Sequence, residues 1–272
     1  PDTTISVDDT SNNETMDQSL MKAMILAAGL GTRLRPLTDT LPKALVEIRG
    51  RPMLAWIIDR LALHGVTDII VNAHYLADQI EAFVARYSDE SRFERLKLTV
   101  SREDKLLGTG GGIQHASWFF DDGEPFIVHN TDVITDLNLN YLMEAHSKSQ
   151  ALATMAVKMR ETKRFLLFDE NHTLCGWEST DPPETRMIGT KTGSVTALPF
   201  MAVHAASPDI FRHITGTPPF SILDAYLGLA SEGHRIGAFR DDGARWMDVG
   251  RIAHLSQAET NFGAEYFDRL AE

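Results

Sequence analysis

The 272-residue sequence predicts an α/β fold built on a mainly parallel sheet. Two observations carry that prediction. From Lys22 onward, over about 130 residues, short apolar runs alternate with segments whose apolar residues recur at i, i+3, i+4 and i+7, the pattern of βαβ units. The leading apolar run is continuous rather than alternating, as a strand buried on both faces requires.

The elements follow in order. Residues 1–20 hold five acids, no Lys or Arg, and many Ser, Thr and Asn. This composition is too poor in apolar residues to hold a fold, so a disordered acidic leader is expected there. It lacks the basic and apolar regions of a signal peptide, and a cytoplasmic setting is the expectation. Ala23-Met24-Ile25-Leu26-Ala27 is the first strand, and a loop containing Gly, Arg and Pro follows it. Pro52 is suited to the first position of a helix, in which Leu54, Ile57, Ile58 and Leu61 share a face until Gly65 stops it. Asp68 to Val71 reads as a strand, Leu76, Ile80, Phe83 and Val84 as a helix face, and Leu96 to Val100 as a strand. A glycine cluster, 108–112, then precedes a short helix from Ile113 to Trp118, and Pro125 to His129 is a strand ending at polar residues. Beyond Gln150 the pieces shorten to 151–157, 165–169, 173–177 and 199–204, with an exposed loop at Asp181-Pro182-Pro183-Glu184. A mixed sheet is expected there, and helices return at 221–232 and 252–270. No internal repeat is visible, so no appended β-helix is expected.

Composition narrows the function. A net charge of −12 argues against nucleic acid as a partner, because binding it requires a basic surface. No run approaches the roughly 18 apolar residues of a membrane span, and no membrane partner is expected. The single Cys175 has no second cysteine for a disulfide or a zinc pair, and reads as core. None of the histidines has metal spacing, and none is given a catalytic role.

The most informative stretch is Leu26-Ala27-Ala28-Gly29-Leu30-Gly31-Thr32-Arg33-Leu34-Arg35-Pro36-Leu37-Thr38, followed by Leu41-Pro42-Lys43-Ala44-Leu45. Glycines at a strand end let backbone N–H groups wrap phosphate oxygens, and Arg33, Arg35 and Lys43 concentrate positive charge in an acidic chain. The loop is built to hold a polyphosphate. No Gly-Lys-Ser or Gly-Lys-Thr follows, and Leu34 stands where a dinucleotide fingerprint needs its third glycine, so neither of those loops fits.

This segment resembles the signature of the sugar-1-phosphate nucleotidylyltransferases, Ala-Ala-Gly-x-Gly-Thr-Arg-Leu-x-Pro-x-Thr with a downstream Pro-Lys-x-Leu. The similarity continues through Val71-Asn72-Ala73-His74-Tyr75-Leu76, Leu107-Gly108-Thr109-Gly110-Gly111-Gly112, Asp132 and Trp246-Met247-Asp248-Val249-Gly250. It is greatest to compact bacterial members acting on N-acetylmuramate 1-phosphate with UTP or on mannose 1-phosphate with GTP. The resemblance implies a doubly wound nucleotide-binding sheet, residues 21–150, with an inserted smaller sheet for the sugar, mainly 151–250, and a C-terminal helix, 251–272, in one domain. It implies an enzyme that joins an NTP to a sugar 1-phosphate and releases pyrophosphate. By the same resemblance Ala28, Gly29, Gly31 and Thr32 contact the nucleotide, Arg33 neutralises the leaving pyrophosphate, and Lys43 contacts the reacting phosphates.

Asp132 and Asp248 close predicted strands, where open α/β sheets place ligands. Brought together, they form a hard oxygen site suited to Mg²⁺, with Mn²⁺ as a substitute. Asn130-Thr131 precedes Asp132 where many members of the family carry a glycine. Gly108, Thr109 and Gly110 are expected to let the base or ribose lie flat, or else to belong to a flexible lid. Asn72, His74 and Gln79 are placed either to reach the base or to order its loop. Ala202 replaces a glycine of relatives, which either narrows the sugar pocket or adjusts packing. Lys158, Arg160 and Arg164 are candidates for the sugar phosphate, against a solvated basic face. Two other functions stay open: a phosphocholine cytidylyltransferase using Trp118, Trp177 and Trp246 as a cage, and a noncatalytic nucleotide-sugar sensor.

Overall fold

The computed structural model describes residues 21–188 and 193–272. The expected leader, residues 1–20, lies outside the described residues. In chain order the strands and α-helices are β1 (Met21–Leu26), β2 (Glu47–Ile48), β3 (Arg51–Pro52), α1 (Met53–Leu63), β4 (Val66–Ala73), α2 (Ala77–Glu90), β5 (Lys97–Arg102), α3 (Gly108–His115), β6 (Phe126–Asn130), β7 (Val133–Thr135) and α4 (Leu139–Ser149). There follow β8 (Ala153–Val157), β9 (Arg164–Phe168), β10 (Leu174–Thr180), β11 (Pro183–Met187), β12 (Thr196–Leu198), β13 (Phe200–Ala206), α5 (Ile222–Ser231), β14 (Ile236–Arg240), β15 (Trp246–Asp248) and α6 (Ile252–Ala271).

Among the described residues, seven strands form the large sheet in the order β14-β8-β13-β6-β1-β4-β5. All run parallel except β13. The chain passes from β1 outward to β4 and β5, then returns to β6 on the other flank of β1. The end of β1 is therefore where the strand order reverses, the crevice in which sheets of this kind bind ligands. On β1, Ala23 and Ile25 enter one core layer and Met24 the other, which explains the continuous apolar run. The first layer packs α1, α2 and α4 on the sheet. Leu54, Ile57, Ile58 and Leu61 of α1 are all buried in it, each contributing about 1.5–3 kcal/mol. The second layer joins α3 and α5 to a smaller antiparallel sheet, β11-β10-β9-β12, through Leu166, Phe168 and Leu174. A third cluster seats α6 on α1, where the Trp56 and Phe267 rings meet edge to face at 5.0 Å. No described helix is long and apolar enough to cross a membrane.

Three local expectations are corrected. Pro52 caps α1 from outside, because its ψ of 140° is extended and its residue pairs with Glu47 in the β2–β3 hairpin. The glycines 108–112 do not precede a helix but form it, and the helix ends at His115 rather than Trp118. Glycine's low helix propensity is overridden by close packing: a Cβ on Gly110 would lie 2.3 Å from the Phe220 ring. The shorter rhythm beyond Gln150 does not mark a separate mixed sheet either. There β8, β13 and β14 complete the large sheet, and the smaller sheet is wholly antiparallel.

Candidate active site

The loop after β1 is shaped by one glycine. Gly31 takes φ 65°, and a Cβ there would stand 2.9 Å from Thr38 Cγ2 and 3.0 Å from Lys43 Cβ. Only glycine lets the chain turn back tightly enough to lay Lys43 beside the loop. Thr38 Oγ1 donates to the Gly31 carbonyl at 2.8 Å, and buried Leu34 anchors the turn from below. From the connection between β4 and α2, Tyr75 Oη donates to the Thr38 carbonyl at 3.0 Å, and from the first turn of α2 Gln79 Nε2 donates to the Thr40 carbonyl at 3.0 Å. Gln79 thus orders the loop. Thr32 and Arg33 are exposed on it, and nothing stands within 4 Å of a Cβ built on Gly29.

Four charged groups meet beside this loop. Lys43 Nζ lies 2.5 Å from Asp132 Oδ2, with both side chains about 85% buried. Arg33, half exposed, spans the carboxylates at 3.6 Å from Asp132 Oδ2 and 3.7 Å from Asp248 Oδ2. Asp132 is positioned by its neighbours: Thr131 Oγ1 donates to the Leu26 carbonyl at 2.8 Å, and Val249 N donates to the Asp132 carbonyl at 2.8 Å. Neither Asn130 nor Thr131 takes a positive φ, so a glycine before the aspartate is not required here. Asp248 is brought across by the antiparallel β7–β15 ladder, in which it pairs with Val133. Gly250 N donates to Asp248 Oδ1 at 2.6 Å, and His254 Nδ1 to the Asp248 carbonyl at 2.6 Å. A Cβ on Gly250 would stand 2.8 Å from Asp248 Oδ1, 3.1 Å from Asp132 Oδ2 and 2.8 Å from Arg33 Nη2. Glycine there keeps open a point that both carboxylates face.

A cleft of about 170 Å³ adjoins these charges, with Ala28, Gly29, Lys43, Asn72, Gly108, Thr109 and Asp132 in its lining. Asn72 is buried beneath it. Its Oδ1 accepts from Ala27 N at 2.7 Å and its Nδ2 donates to Glu103 Oε1 at 2.7 Å. Glu103 Oε2 accepts from Leu107 N at 3.1 Å, and His74 Nδ1 donates to the Glu103 carbonyl at 3.0 Å. This buried pair ties the ends of β1, β4 and β5 to the start of α3. Thr109 Oγ1 accepts from Ile222 N at 2.9 Å, whereas Gly110 turns toward Phe220 and donates its N–H to the Phe220 carbonyl at 3.0 Å. Glu103 carries no role in the sequence reading, and Gly250 only its place at the end of the Trp246–Gly250 segment. The only traces were a carboxylate just past a strand and a glycine two residues after Asp248.

A larger cavity, about 380 Å³, lies apart from the four charges, between β10–β11 and α5. Exposed Arg164 lies on its rim, and its other charges, Arg186 with Glu184 and Asp224, are paired with one another. Lys158 Nζ is occupied by the Ala244 carbonyl. The three candidate cage tryptophans make no ring contact with one another among the described residues: Trp118 packs on Phe119, Trp177 under Arg186, and Trp246 under Arg160. Among the described residues no group of three or more His, Cys, Asp or Glu is placed to hold a metal.

An α/β sheet with charges gathered at its reversal point defines the class, and comparison with known proteins gives the family. The model of the nucleotidyl transferase family matches residues 22–167, and the chain belongs to that family. It is 33% identical over 239 residues to the N-acetylmuramate alpha-1-phosphate uridylyltransferase of Caulobacter vibrioides, covering 86% of this chain and 94% of that protein. It is 32% identical over 235 residues to the mannose-1-phosphate guanyltransferase of Aspergillus fumigatus, covering 85% of this chain and 61% of that longer protein. The fold is shared with HddC from Yersinia pseudotuberculosis complexed with GMP-PN, at a TM-score of 0.69 and 24% identity, covering 90% of this chain and all of that one.

Proposed function

We propose that the chain transfers a nucleotidyl group from an NTP to a sugar 1-phosphate, giving an NDP-sugar and pyrophosphate. The observation that carries this reading is the convergence of Arg33, Lys43, Asp132 and Asp248, from three separate segments, beside a cleft lined by Ala28, Gly29, Gly108 and Thr109. The two cations and two carboxylates balance one another in charge, so a divalent cation taken up by the carboxylates releases Arg33 and Lys43 to face a polyphosphate. Arg33 and Lys43 then face phosphate oxygens, with Arg33 toward the leaving pyrophosphate. Asp132 and Asp248 fit Mg²⁺, which is commonly held by one or two carboxylates plus phosphates, and Mn²⁺ suits the same donors. When bound, the ion supplies Lewis-acid neutralisation of phosphoryl oxygens. The acceptor phosphate brings its own negative oxygen, so no side chain needs to become a covalent nucleophile, and catalysis is positioning plus charge stabilisation.

The relatives' names guide the choice of substrate. UTP with N-acetylmuramate 1-phosphate is the first pair to test, and GTP with mannose 1-phosphate the second. Base choice needs only one or two hydrogen bonds to the base edge, and backbone groups can supply them. Four NTPs assayed against a panel of sugar 1-phosphates and phosphocholine, scored by pyrophosphate release, test the reading. Turnover with a sugar 1-phosphate is expected; turnover confined to CTP with phosphocholine, or none at all, contradicts it.

A further inference from the structure

Transfer between two polyanions needs positive charge on both sides of the reacting phosphorus, because attacking and leaving oxygens lie roughly in line. Arg33 and Lys43 supply one side, from the loop after β1. Along the same edge of the large sheet the order runs β1, β6, β13, β8, and β8 is parallel to β1 and β6, so the ends of these three strands share that edge. Asp132 follows β6. Three strand spacings from β1, roughly 14 Å, the chain leaves β8 and reaches Arg160.

Arg160 is fixed in place. Its guanidinium carbon lies 4.0 Å from the centroid of the Trp246 ring, and Trp246 is itself held by Nε1 donating to the Met201 carbonyl at 2.7 Å. Arg160 Nη2 donates to the Phe200 carbonyl at 3.0 Å, and Nη1 lies 3.4 Å from the Glu161 carbonyl. Trp246 and Asp248 are two residues apart on β15, hence on one face of that strand. Burial lowers the pKa of Arg160, and the charge of Asp248 acts in the opposite sense, so the two groups feel each other. Yet among the described residues Arg160 has no carboxylate at ion-pair distance, and its Nε is buried without a hydrogen-bond partner. A guanidinium held against Trp246 and two backbone carbonyls, with no carboxylate at ion-pair distance among the described residues, has the chemistry of a phosphate receptor.

We propose that Arg160 binds the phosphate of the acceptor sugar 1-phosphate, across Asp132 from the phosphate loop. This assignment rests on the transferase reading above and names the residue that serves its second substrate. Steady-state kinetics of Arg160→Ala and Arg160→Lys test it, with thermal melting as the check on folding. Arg160→Ala is expected to raise the acceptor KM by about 10- to 100-fold, and Arg160→Lys by less, while the NTP KM stays within about threefold. An unchanged acceptor KM in Arg160→Ala overturns the proposal, as do equal rises in both KM values, which are the mark of a prop beneath Trp246. Should the alanine variant fail to fold, Arg160→Lys decides alone, and an acceptor KM equal to that of the wild type overturns it. A wild type inactive with every sugar 1-phosphate contradicts the transferase reading instead. Titration with inorganic phosphate, followed by tryptophan fluorescence, still reads Arg160 in that case. A change present in the wild type and lost or weakened in both variants is expected, and equal titrations overturn the assignment.

Discussion

The phosphate loop draws Ala28, Gly29, Gly31, Arg33 and Lys43 from one continuous stretch between β1 and β2, bent by the left-handed turn at Gly31. The carboxylate pair is assembled differently. Asp132 sits after β6, and Asp248 reaches it from far along the chain, through the register of β7 on β15 and the open space over Gly250. A local loop carries its chemistry within its own sequence, whereas a pair made by a ladder exists only once the sheet has formed. The comparison separates two kinds of failure, one of charge in the loop and one of alignment in the ladder.

The largest expected effect comes from breaking the loop. Lys43→Ala and Arg33→Ala should each lower kcat by about 10²-fold or more, as for loss of one transition-state donor, with the melting temperature nearly unchanged. Near-normal turnover in both would remove the loop from the chemistry. Next come the carboxylates. Asp132→Asn and Asp248→Asn should each lower turnover at least about 10-fold and raise the metal concentration needed for half activity, and the double variant should be little worse than the poorer single one, because the pair acts as a unit. Full activity in excess EDTA would show that no metal is involved.

The scaffold itself should respond to acid. His129, His146 and His204 are buried in the large sheet and on α4, and burial holds their pKa values down at about 4, about 4 and about 3. The folded state keeps them neutral, while the unfolded chain protonates them near pH 6.5. Their contribution is thus complete above pH 6.5 and declines as pH falls toward 4, by at most about 1.4 kcal/mol per pH unit for each histidine. Denaturant midpoints at pH 7 and pH 5 check this; equal values would contradict it. The smallest effect is expected at Ala202, whose φ of 57° lies in the left-handed region, inside the bulge of β13 against β8. Ala202→Gly should stabilise the fold by about 1 kcal/mol. An unchanged acceptor KM in that variant would make the methyl group a matter of backbone strain rather than of pocket shape.

Legibility in the sequence followed the same division. The strand–loop unit from Ala23 to Lys43 was readable because its glycines, basic residues and apolar run are contiguous. Asp132 and Asp248 were readable as strand-end acids, but their meeting depends on cross-strand register. Glu103 and Gly250 left only faint signals, since one acts through buried hydrogen bonds to Asn72 and Leu107 and the other through the absence of a side chain. The helix at Gly108–His115 was missed because its stability comes from contact with Phe220 and Pro218, not from its own residues. The assignment of β8, β13 and β14 to the large sheet was hidden because strand length and polarity do not say which neighbour a strand will pair with.

The central claim is direct transfer at a centre that positions two phosphates and supplies no nucleophile of its own. Exchange of radiolabelled pyrophosphate into NTP tests it most directly. With the wild-type chain, the divalent cation and NTP, label should enter NTP only when the matching sugar 1-phosphate is present, since pyrophosphate release requires the acceptor. Exchange at a comparable rate without any sugar 1-phosphate would require a nucleotidyl-enzyme intermediate and would contradict the account.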